Sequence, residues 1–142
     1  NKGYNCFLIR HPAKVINSYI KKNTLFSIDY VGFKKQYEIF NKIKKNKINY
    51  MVVNADTILQ DPSKAIKKLC KILKIRFTKK MLSWPAGKRS TDGIWSKVWY
   101  KNVELSNTFS KYKKEKYNVP KKYNDIYEES LKYYNEMNQY SI

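Results

Sequence analysis

The chain has 142 residues, 42% of them hydrophobic and 15% aromatic, which is one domain's worth of sequence with enough apolar material for a core. Its 30 Lys+Arg against 11 Asp+Glu give a net charge of +19, but the lysines are spread along the whole length, as on solvated faces. No run approaches the roughly 18 apolar residues of a membrane span, and one histidine with two cysteines cannot assemble a metal site.

The first predicted element is a buried strand over 5–10, ending on Arg10. Pro12 then opens a helix over 12–22, at the position where its missing N–H costs nothing, with His11 as N-cap. Ser18 lies seven residues past His11 and returns to the same helix face two turns along. A cation at a strand end, a helix N-terminus and a hydroxyl on the facing turn make a place for an anion, with phosphate the natural guest. The plainer alternative is a rim arginine beside a surface serine.

A second helix is expected over 30–46, capped by Asp29 or Ser27, with Phe33, Tyr37 and Phe40 as its core stripe. A second buried strand follows at 49–54, rich in β-branched residues. After a short loop, Asp61 and Pro62 read as N-cap and first residue of a helix over 62–74, with Ile66, Leu69, Cys70 and Leu73 at helical spacing. A short helix at 79–82, a loop at 83–95 and a mixed segment at 96–110 come next. Lys111 to Lys122 is a polar Tyr/Lys-rich connection, expected to be the most mobile stretch. A last helix over 122–138 docks through Tyr127, Leu131 and Tyr134.

Two strands separated by helices imply parallel pairing in an α/β layer. Cys6 and Cys70 are both expected to be buried. With no secretory leader in view they are read as free thiols of a reducing, cytoplasmic compartment.

The loop from Pro85 to Gly93 carries the adjacent cations Lys88 and Arg89 between turn formers. Arginine occurs only at Arg10, Arg76 and Arg89, so two of three fall in segments suited to phosphate. A chain this biased towards lysine keeps arginine where a planar fork is hard to replace.

Residues 6–19 resemble the 3′-phosphate-binding segment of the sulfotransferase family: a strand, an Arg, often a Pro, then a helix with Ser eight residues after the Arg. His11 departs from the usual acidic or amide residue. Asn54, Asp56, Asp61 and Pro62 are similar to a later strand–loop–Asp-Pro–helix of that family, and Gly93-Ile94-Trp95 to its Gly-x-Trp. Gly87-Lys88-Arg89 matches its basic Arg-Lys-Gly in composition but not in order.

The resemblance implies a partial P-loop-type three-layer α/β domain, with a small parallel sheet flanked by helices. It implies sulfonate transfer from 3′-phosphoadenosine 5′-phosphosulfate to an acceptor that the sequence does not name. Arg10, Ser18, Lys88, Arg89 and Lys97 would bind the nucleotide, and no metal is expected. No Gly-x-x-x-x-Gly-Lys-Ser/Thr loop occurs in the chain. The expectation is therefore the C-terminal part of a larger domain, without an assignable catalytic base and inactive alone. Such a part is expected to expose a sheet edge through which copies pair. The alternative from a different class is a nucleic-acid-binding or other polyanion-binding module, for which Tyr112 to Tyr127 offers interleaved aromatics and cations.

Overall fold

The computed structural model describes residues 3–94, 96, 100–114 and 116–142. They form two compact units, one of Asn1–Asp56 with Lys114–Ile142, the other of Thr57–Lys113.

The first unit is an α/β layer. Strands β1 (Asn5–Ile9) and β2 (Tyr50–Asn54) pair in parallel, with Phe7 opposite Val52. Helices α1 (Pro12–Tyr19) and α2 (Phe33–Lys45) lie between them in the chain, as a parallel connection requires. Phe7 and Ile9 face a core with Phe33, Phe40, Val52 and, from helix α6 (Asn124–Asn138), Tyr134 and Met137. The Phe7 and Phe40 rings meet edge-on at 5.6 Å. A second cluster joins Ile16, Leu25 and Tyr123.

The sequence reading needs correction at β1. Phe7 and Ile9 are buried, but Cys6 is exposed and Leu8 is 59% exposed. One face of this strand is covered where both were expected to be, so Cys6 is not a buried thiol. At β2 the last residues of the chain take over the outer edge: Ile142 N donates to Val52 O at 3.0 Å. Among the described residues no strand pairs with the outer edge of β1. Asn5 N bonds to Asn49 O, so by the parallel alternation the backbone groups of Cys6 and Leu8 face away from β2. Gln36 Nε2 donates to Leu8 O there at 3.1 Å.

Two helix boundaries also differ. The 12–22 helix stops at Tyr19, whose carbonyl accepts from Lys22 N and Asn23 N in a closing turn. The 30–46 helix is interrupted because Gly32 sits at φ 71°, a left-handed conformation that glycine adopts without a steric penalty. Ser27 therefore caps a short 3₁₀ turn, Ile28–Val31, and α2 begins at Phe33.

Helix α3 (Ala55–Gln60) stands where the sequence reading placed a short loop. Its start is set by Asn54, whose buried Oδ1 accepts from Asp56 N at 2.9 Å. In the second unit, Asp61 Oδ1 accepts from Lys64 N at 2.9 Å and Pro62 opens α4 (Pro62–Leu73), as its sequence dictates. Cys70 is buried, its Sγ 3.7 Å from Met81 Sδ. A single helical turn, α5 (Lys101–Glu104), follows the basic loop.

Candidate functional site

The carboxyl ends of parallel strands are where open α/β sheets bind ligands, and the polar residues of the first unit gather there. Arg10 follows the last residue of β1. It is exposed and makes no hydrogen bond or ion pair with any described residue. It lines a cavity of about 300 Å³ with Leu8, Val15, Val31, Gly32, Phe33 and Gln36. Ser18 is exposed on α1. It is not among the residues lining that cavity, and no described contact joins it to Arg10.

His11 caps α1 as its sequence position suggests. Its Nδ1 accepts from Ala13 N at 3.3 Å, which leaves the ring proton on Nε2 in the neutral form. The Tyr117 ring stacks on the imidazole at 3.6 Å and 9°, and Tyr134 meets it edge-on at 5.4 Å. Burial holds the His11 pKa below the ordinary value; the nearby Asp56 carboxylate opposes this and Lys14 reinforces it.

A part-buried polar network lies beside this ring. Lys14 Nζ pairs with Asp56 Oδ1 at 2.8 Å, and Tyr117 OH donates to Asp56 Oδ2 at 3.2 Å. Asn54 Nδ2 donates to Tyr134 OH at 2.9 Å and to Asn138 Oδ1 at 2.8 Å. Burial and the Asp56 charge raise the pKa of Tyr134, against the hydrogen bond from Asn54. The sequence reading missed Lys14 and Tyr117. They lie 42 and 61 residues from Asp56, which the resemblance singled out without its partners.

In the second unit Lys88 and Arg89 are both exposed. Arg89 is tied within its own loop: Nη2 donates to Pro85 O at 3.1 Å and its backbone N to Asp92 Oδ2 at 2.9 Å. Lys88 makes no such bond with a described residue. The loop is anchored by Trp84, whose Nε1 donates to Ser106 Oγ at 3.1 Å, and by Gly87 N donating to Glu104 O at 2.7 Å. Lys97 and the Trp95 of the Gly-x-Trp lie outside the described residues.

Among the described residues no helix is long and apolar enough to cross a membrane, and no three His, Cys, Asp or Glu side chains cluster in a way that would hold a metal ion.

Two relatives from Arabidopsis thaliana are similar to this chain. Branched-chain-amino-acid aminotransferase-like protein 1 is 32% identical over 135 residues, and branched-chain-amino-acid aminotransferase-like protein 2 is 29% identical over the same length. The match takes in 95% of this chain but only 24% of each relative, so the chain spans about a quarter of their length. No solved structure matches. The sulfotransferase domain family matches residues 2–141, nearly the whole chain, and the protein belongs to that family.

Proposed function

We propose that this chain carries the nucleotide-binding part of a sulfotransferase that uses 3′-phosphoadenosine 5′-phosphosulfate. In this reading Arg10 and Ser18 hold the 3′-phosphate, and Lys88, Arg89 and Lys97 are the further nucleotide-binding cations. The observation that carries it is Arg10: a guanidinium with no described partner, at the carboxyl end of a parallel strand and beside a cavity. An exposed arginine left without a carboxylate is free to take an anion bidentately.

The reaction would be in-line displacement at sulfur, with cations stabilising the bridging oxygen as the nucleotide leaves. Since the chain holds no P-loop sequence, transfer is expected only with a segment supplying amides for the 5′-phosphosulfate. The open edge of β1 is a place for a further strand, from that segment or from a second copy. The free thiols fit a reducing compartment such as the cytoplasm. The names of the Arabidopsis relatives describe whole proteins, of which this chain matches a quarter.

Calorimetry with adenosine 3′,5′-bisphosphate tests the reading. Arg10→Ala is expected to cost about 2–3 kcal/mol of binding, as for a lost charge-assisted hydrogen bond. Equal affinity in the two proteins removes Arg10 from the site. A parallel salt titration with oligonucleotides separates the polyanion alternative. At a net charge of +19, weak non-specific binding is expected, with a dissociation constant of roughly 10⁻⁴–10⁻⁶ M at physiological salt. Tight, sequence-selective binding without nucleotide affinity favours the nucleic-acid module instead.

A further inference from the structure

The segment at 116–119 is strapped across the start of α1. Asn17 Nδ2 donates to Asn118 O at 2.7 Å, and Val119 packs against the cluster of Ile16, Leu25 and Tyr123. Between these anchors Tyr117 lays its ring flat on His11 and bonds the carboxylate that Lys14 neutralises. The stretch expected to be mobile is thus fastened at its second half. Tyr117 is 40% exposed, and one face of its ring is covered by the imidazole, stacked face to face.

We propose that Tyr117 is a positioning residue for the Arg10 anion site. Arg10 has no side-chain partner among the described residues, so its placement is inherited from the backbone it shares with His11. The His11 carbonyl accepts from Lys14 N at 2.9 Å and Val15 N at 3.3 Å, while its ring is held by the cap bond to Ala13 N and by Tyr117 on one face. Releasing Tyr117 frees the ring and weakens the cap, which loosens the turn from which the Arg10 side chain projects. The groups facing His11 are Lys14 on α1, Asp56 beyond β2, Tyr117 on the strap, and Tyr127 and Tyr134 on α6. Burial lowers the His11 pKa, and the Tyr117 ring covers one face of the imidazole.

This inference rests on the proposed nucleotide site, and the test keeps the two apart. Affinity for adenosine 3′,5′-bisphosphate is measured for the unaltered chain, Arg10→Ala, Tyr117→Leu and Tyr117→Phe, with the His11 titration followed by NMR in each. Tyr117→Leu is expected to weaken binding roughly tenfold and to move the His11 midpoint up towards the ordinary value. Tyr117→Phe, which keeps the ring and loses only the hydroxyl, is expected to weaken binding roughly threefold; it carries the test if Tyr117→Leu does not fold. Weakened binding in Arg10→Ala beside unchanged affinity and an unchanged His11 midpoint in the Tyr117 variants overturns the strap alone. Unchanged binding in Arg10→Ala overturns the site, and the strap's role in it.

Discussion

Lys14 Nζ and Asp56 Oδ1 stand 2.8 Å apart with side chains only 10% and 13% exposed, joining the first turn of α1 to the residue two past β2. An ion pair this far from solvent repays its desolvation only while both partners are present. Asp56→Ala removes the carboxylate that faces the Lys14 ammonium and an acceptor of Tyr117 OH. The expected loss is about 1.5–3 kcal/mol, as for hydrogen bonds to a charged group, read as a drop in the guanidinium unfolding midpoint. Replacing both partners with apolar residues of similar size is expected to recover most of it. A double variant as unstable as Asp56→Ala would show that the charges are not coupled.

The pH dependence follows from His11, the only histidine of the chain. Its folded pKa lies below the unfolded value, so the unfolded state binds more protons in between. Its contribution is therefore complete above the unfolded pKa of about 6.5 and is lost as pH falls through the folded one. Thermal melts are expected to show Tm falling from pH 7.5 to 5.5. His11→Asn, which keeps an N-cap acceptor, should flatten that slope. A slope unchanged in His11→Asn would assign the effect to the carboxylates.

Much of this layout is legible in the sequence, because its signals are local. Pro12 and Pro62 mark helix starts, His11 and Asp61 their caps, and two short apolar runs the parallel strands. Gly32 lies inside the expected 30–46 helix, and its positive φ is what splits that segment. What the sequence hides is non-local. Whether Cys6 is covered depends on which elements pack on the second face of β1, and alternation alone does not say. The meeting of Lys14, Asp56 and Tyr117 depends on three segments brought together by folding.

Cys6 and Cys70 are expected to separate cleanly by reactivity. Cys6 is exposed, though desolvation raises its thiol pKa above the ordinary value and slows attack near neutrality. Cys70 is 4% exposed against Met81. A disulfide reagent should modify one thiol in the folded protein and the second only in denaturant. Cys6→Ser should abolish the first reaction. Two equal fast phases would mean that α4 opens readily.

Asn54 and Ser130 are buried polar residues with opposite expectations. Asn54 is 7% exposed and spends its amide fully: Nδ2 on Tyr134 OH and Asn138 Oδ1, Oδ1 on Asp56 N. Asn54→Ala strands these partners inside the unit and removes the start of α3, so a loss of about 2–4 kcal/mol is expected. Ser130 is fully buried on α6, and its Oγ has no hydrogen-bond partner among the described residues. Its hydroxyl is desolvated without compensation, and alanine is the better helix former. Ser130→Ala is therefore expected to be neutral or stabilising by up to about 1 kcal/mol. Unfolding of both variants in urea checks the pair. A Ser130→Ala variant destabilised as much as Asn54→Ala would reveal a partner for Oγ, such as a buried water, and reverse the assignment.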